Sequence, residues 1–80
     1  MAYEGPRLVE WTDHAFVKAE ILGVTRTDVE RAVLDGHPRR MHNTRAADWL
    51  VREGRLMVAY NYPHGEDALT ALVVTFWRRP

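Results

Sequence analysis

The sequence predicts an α+β fold of order β-α-α-β-β-β-β, with two short helices packed on one face of a mostly antiparallel sheet. Three observations predict it. Two capped segments of helical period fill residues 12–35, each closed by a glycine. From Pro38 onward the apolar pattern shifts to the alternation of strands. Ala68 to Trp77 is an apolar run rich in branched and aromatic residues, which suits the centre of a sheet.

Taken in order, Arg7 to Trp11 reads as a first strand after the Gly5-Pro6 break. Thr12 or Asp13 then caps a helix running to Leu22. Ala15, Phe16, Ala19 and Leu22 share a stripe that faces the core, and Gly23 supplies the stop. Thr25-Arg-Thr-Asp28 has capping-box spacing, with Asp28 near the positive helix end. Val29, Ala32 and Val33 follow at i, i+3 and i+4, and Asp35-Gly36 closes this second helix. His37 to Asn43 reads as a polar edge strand that Pro38 opens, where no ladder donor is needed. Asp48 to Arg52 is the next strand, broken at Glu53-Gly54, and Leu56 to Tyr62 alternates as a third. Pro63 to Asp67 is loop before the last strand, Ala68 to Trp77.

A chain of 80 residues has room for one domain, so 1–80 is read as a single unit. It carries no cysteine, hence no disulfide and no thiolate metal site. No apolar run reaches the roughly 18–20 residues of a membrane span, and Met1 to Pro6 lacks the basic start and apolar stretch of a secretory signal. A cytoplasmic protein without membrane contact is expected. Eleven basic and eleven acidic residues balance to zero, which argues against a general nucleic-acid binder. The balance is uneven along the chain. Residues 1–36 hold seven acids and four bases, net −3, and residues 37–80 hold seven bases and four acids, net +3.

Val9-Glu-Trp11, the two short helices and the Gly23-Val-Thr25 turn resemble the opening of BrnT-type toxins of the RelE-like superfamily. His14-Ala-Phe-Val-Lys18, Gly23-Val-Thr25 and Asp28-Val-Glu30 are similar to a related uncharacterised bacterial family with a His-Ala-x-x-Arg start. The similarity runs over residues 8–79, through Gly54-Arg-Leu-Met-Val-Ala-Tyr60 and Val74-Thr-Phe-Trp-Arg78. It implies the RelE-like arrangement of the fold and, for the toxin branch, metal-independent cleavage of RNA opposed by a small antitoxin. Arg78 matches the arginine that usually ends the last strand of these toxins. Lys18 stands where the related family has arginine, and Ala47-Asp48 stand where the toxins often carry an arginine before the tryptophan.

Metal-free RNA cleavage needs a base for the 2′-hydroxyl, a cation for charge developing on the phosphate, and an acid for the leaving oxygen. His37-Pro-Arg39-Arg40-Met-His42-Asn-Thr-Arg45 is the densest supply. On a strand Arg40 and His42 share a face, opposite Arg39. His42 is the candidate base, because imidazole ordinarily titrates at about 6.5. Arg40 and Arg78 are the candidate catalytic cations. Arg39, Arg45, Arg79, Lys18 and His14 are candidate phosphate contacts, the last two sharing a helix face at i, i+4. The plainer alternative makes the segment 37–45 a solvated edge strand whose charges discourage aggregation. Likewise His14 can simply pack on the sheet, while Tyr60, Trp49, Phe76 and Trp77 can build the core rather than stack bases. No metal site or cofactor motif is present in the sequence: His37 and His42 lack further ligands, and there is no phosphate-binding glycine loop.

Two functions therefore stand side by side. One is a toxin-like ribonuclease, an mRNA interferase acting on free or ribosome-associated RNA, its basic second half covered by an acidic segment of an antitoxin. The other is a non-catalytic interaction or regulatory module, bacterial or phage, on the same fold. Homo-oligomerisation is open in either.

Overall fold

The computed structural model describes residues 5–43, 45 and 47–79. Thr12 and Thr25 start the two helices as their sequence chemistry predicts: each has extended backbone, and its side-chain oxygen accepts the amide of the third residue on, Ala15 and Asp28 respectively. Helix α1 (Asp13–Leu22) ends at Gly23, whose φ of 67° provides the left-handed cap that a β-carbon would disfavour. Helix α2 (Arg26–Gly36) ends differently. Gly36 stays right-handed inside the helix, and the chain continues into a single 3-10 turn, His37–Arg39. A β-carbon on Gly36 would meet the Val51 β-carbon at 3.2 Å, so this glycine, the last residue of α2, also permits close helix–sheet approach.

The strands are β1 (Leu8–Trp11), β2 (Met41–His42), β3 (Trp49–Glu53), β4 (Leu56–Asn61) and β5 (Thr70–Arg78). They form one sheet in the order β1-β5-β4-β3-β2. β1 runs parallel to β5, and the other neighbours are antiparallel. The α+β architecture, with two helices packed against a mostly antiparallel sheet, is therefore present. The expected edge strand 37–43 shrinks to two residues. Pro38 fixes φ near the helical range and sits in the first turn of a helix without penalty, so it prolongs the turn after α2 instead of opening a strand. Thr44 and Ala46, from the same basic stretch, lie outside the described residues. The last strand starts at Thr70, because Ala68 and Leu69 belong to the preceding turn, where Asp67 accepts from the Leu69 amide and the Thr70 hydroxyl.

One buried cluster joins Ala15, Ala19, Val29, Ala32 and Val33 of the helices to Val51, Val58, Tyr60, Ala71, Val73 and Phe76 of the sheet. Fully burying each large apolar side chain of this kind stabilises by about 1.5–3 kcal/mol. Phe76 and Val73 both enter it although three positions apart. Ala59 pairs with Thr75 but Tyr60 pairs with Val73, so Val74 is unopposed and the bulge resets the side-chain phase. The stripe expected on α1 is narrower than its pattern suggests. Only Ala15 and Ala19 are buried, while Phe16 and Leu22 are 44% and 41% exposed. Two alanines let α1 approach β5 closely, and the larger side chains are left at the flanks. No helix among the described residues is long and apolar enough to cross a membrane.

Candidate functional site

The junction between α2 and β2 gathers polar and aromatic side chains over the helix-facing side of β3 and β4. His37 caps α2, and its backbone amide donates to the Val33 carbonyl. Its ring is buried, with Nδ1 2.6 Å from the Tyr60 hydroxyl and the Tyr62 ring edge-on at 4.9 Å. Burial, reinforced by the nearby Arg40 guanidinium, holds the His37 imidazole below its usual 6.5 and favours the neutral ring. Arg40 Nη1 donates to the His37 carbonyl at 3.2 Å.

Trp49 organises the outer layer. Its indole N–H donates to the Tyr62 carbonyl at 3.1 Å, which fixes the ring across to β4. The Arg40 guanidinium carbon lies 4.3 Å from the Trp49 ring centre, a close cation–π contact. His42, paired with Trp49 in the β2–β3 register, places its ring 4.8 Å from the same indole at a 33° tilt. The expected pairing of Arg40 with His42 is thus present, though Arg40 precedes the strand and reaches the site from the extended residue after the 3-10 turn. Both side chains are solvent-exposed. A guanidinium keeps several N–H donors for an anion, and the imidazole beside it can accept or donate a proton.

Arg78 is elsewhere. β4 and β3 separate its strand from β2, and in register Arg78 lies beside Leu56 and Glu53, whereas His42 lies beside Trp49. Three strand spacings and four residues of offset put the two backbones roughly 20 Å apart. Of the three catalytic candidates from the sequence, His42, Arg40 and Arg78, the fold therefore brings only the first two together. It keeps Arg78 from any phosphate they share, because the edge strand pairs with β3, two strands from β5. Arg39 projects from the 3-10 turn, and Arg45 lies in the following loop, where its amide donates to Asn43. Both are exposed and flank the Arg40–His42 end. Arg79 lies beyond β5, its amide bonded to the Arg55 carbonyl.

Lys18 turns to structural work. Its ammonium donates to Thr75 Oγ1 at 3.3 Å and lies 5.8 Å from the centre of the Phe76 ring. His14, on the same face of α1, is exposed. Tyr60 and Phe76 are fully buried, Trp49 is half-buried, and Trp77 is 37% exposed. The buried position of His37 is not foreseen from the sequence. Nothing in the spacing of His37 and Tyr60 announces their contact, since it is made across 23 positions by the packing of α2 on β4. Among the described residues no group of three or more histidine, cysteine or carboxylate side chains is placed to hold a metal ion. In comparisons with family models, curated proteins and solved structures, nothing matches this chain.

Proposed function

We propose that this domain is the toxin-like component of a bacterial toxin–antitoxin pair, cleaving RNA in the cytoplasm without a metal ion. The observation that carries this reading is the placement of Arg40 and His42 on one indole, which brings a fixed cation and a proton acceptor to the same exposed edge. RNA supplies its own nucleophile. In this scheme His42 takes the 2′-hydroxyl proton and the oxygen attacks the adjacent phosphorus to form a 2′,3′-cyclic phosphate. The bond from phosphorus to the 5′-oxygen breaks, and that oxygen leaves as a hydroxyl with a proton from water. Arg40 stabilises the charge gathering on the phosphoryl oxygens. Arg39 and Arg45 extend the cationic surface along the strand that is bound. An antitoxin would cover this edge with an acidic segment, as unlike charges steer such encounters.

The test is purified protein incubated with free RNA and with translating ribosomes, EDTA present. Cleavage by the wild type, lost on Arg40→Ala and on His42→Ala but kept by Arg78→Ala, is the expected outcome. Absence of cleavage by the wild type in both settings defeats the ribonuclease reading.

A second reading, a non-catalytic protein-interaction module, is favoured by a different observation. Helix α1 exposes Phe16, Val17, Ile21 and Leu22, with Ile21 at 76%. An apolar outer face of this kind marks contact with another protein more often than with nucleic acid. Under this reading the wild type cleaves nothing and substitutions on α1 weaken a partner.

A further inference from the structure

Arg31, Arg55 and Arg78 line one cleft at the end of the sheet remote from Trp49, with Asp28, Glu53, Val24 and Leu56 completing its wall. Each comes from a different element. Arg31 stands on α2 one turn after Asp28, Arg55 follows Gly54 in the β3–β4 turn, and Arg78 ends β5 opposite Leu56. We propose that this cleft binds a nucleotide through its phosphate, with the three guanidiniums on the phosphoryl oxygens, the sugar hydroxyls donating to Asp28 and Glu53, and the base lying over Val24 and Leu56.

The charges are the main argument. None of the three guanidiniums has a side-chain hydrogen bond or ion-pair partner among the described residues, and the two carboxylates beside them stay beyond 4.0 Å ion-pair distance. Elsewhere on α2 such a pair does form: Arg26 and Glu30 meet at 3.4 Å. Three arginines against two carboxylates leave the cleft wall with a net positive charge, which a bound anion would offset. A tetrahedral phosphate monoester offers three outer oxygens, enough to engage three guanidiniums from three directions, which a planar carboxylate cannot do.

The rest of the wall narrows the class. Carboxylates accept from hydroxyls but repel a bare anion, so they suit a ligand whose phosphate is joined to a hydroxyl-bearing sugar. Val24 is buried and Leu56 half-buried, giving an apolar floor for a planar base. The cleft volume, ≈ 450 Å³, lies within the range of small-molecule sites. The site uses neither Arg40 nor His42, so it stands whether or not RNA is cleaved at the other end of the sheet.

Nitrogen-resolved NMR titration of the full chain tests this, with AMP, ribose 5-phosphate, adenosine and inorganic phosphate as probes. AMP is expected to move the amides of Asp28, Arg31, Arg55 and Arg78, and to bind at least about tenfold more tightly than adenosine or phosphate. Ribose 5-phosphate should fall between them. Arg55→Ala and Arg78→Ala should each weaken AMP about tenfold or more, with amide spectra elsewhere unchanged, which reports an intact fold. A trinucleotide bearing a 5′-phosphate distinguishes the source. Binding about tenfold tighter than AMP at the same amides identifies an RNA end, and equal binding identifies the free nucleotide. Equal affinity for AMP and inorganic phosphate, shifts confined to other residues, or AMP binding untouched by both arginine variants would each overturn the proposal.

Discussion

The Tyr60 hydroxyl and His37 Nδ1 lie 2.6 Å apart, which bonds the end of α2 to a central strand inside the core. This contact fixes where the 3-10 turn begins, and Arg40 leaves that turn toward Trp49 with one N–H on the His37 carbonyl. A buried polar pair thus positions an exposed one. Replacing Tyr60 with Phe strands the His37 nitrogen in a dry site, at a cost of about 1–3 kcal/mol. Urea denaturation should show this loss at pH 7.5, and an unchanged midpoint would mean the pair adds nothing to stability.

The same histidine sets a pH dependence. Its folded-state value lies below the 6.5 of the unfolded chain, chiefly through burial and secondarily through Arg40. Below 6.5 the unfolded chain therefore binds more protons than the folded one, and stability falls with falling pH. The contribution is full above 6.5 and is lost from there down to the folded-state value. Denaturation midpoints measured from pH 7.5 to pH 5 should decline in the wild type and decline less in His37→Gln. Parallel curves for the two proteins would remove His37 as the cause.

Gly36 offers a sign test. Alanine there gains about 1 kcal/mol of helix propensity, since the backbone is already right-handed. Its methyl would meet Val51 at 3.2 Å, and Val51 is 1% exposed with no room to retreat. Overpacking of about 1–3 kcal/mol should win, so Gly36→Ala is expected to destabilise. In a Val51→Ala background the two γ-carbon contacts at 3.4 and 3.9 Å are removed while the β-carbon contact at 3.2 Å stays, so the same substitution should destabilise less. A double-mutant cycle that shows no coupling would disprove the close approach.

The two helix caps should differ in worth. Thr25→Ala removes one bond to the Asp28 amide, about 1 kcal/mol. Thr12→Ala removes the bond from Ala15 and also the hydroxyl's donation to the Val74 carbonyl at 3.2 Å. That carbonyl belongs to the unopposed residue of the β5 bulge. Thr12→Ala is expected to cost more than Thr25→Ala in thermal denaturation, and the reverse order would discount the link to the bulge.

What the sequence makes legible, and what it hides, divides along sequence distance. Thr12, Gly23 and Thr25 act within a few residues, so their roles can be read from local chemistry. Arg40 and His42 are also close in sequence, and their shared edge follows from spacing even though the strand around them is only two residues long. Arg78 could not be placed that way. Strand order decides its neighbours, and no local pattern states that β5 sits between β1 and β4. The Val74 bulge is hidden for a related reason, because strict alternation would have sent Val73 and Phe76 to opposite faces. Gly36 ends α2 where the sequence places the end, but its second use, the close approach to Val51 fifteen positions later, has no local signature.

Trp49 is the last test, because it separates a surface that merely carries charge from one that holds charge in place. Its ring contacts the Arg40 guanidinium and the His42 imidazole while its N–H is tied to Tyr62. A cation–π contact is worth about 0.5–2 kcal/mol, or roughly 2–30-fold in an equilibrium. Trp49→Ala leaves every charge on the protein and removes the platform, so RNA cleavage should fall by at least that range while binding at high and low salt keeps the same slope. Trp49→Phe keeps an aromatic face and loses only the bond to Tyr62, and it should recover most of the activity. If Trp49→Ala cleaves as well as the wild type, Arg40 and His42 act without preorganisation. A flatter salt slope would instead mean that removing the ring also displaced a phosphate contact.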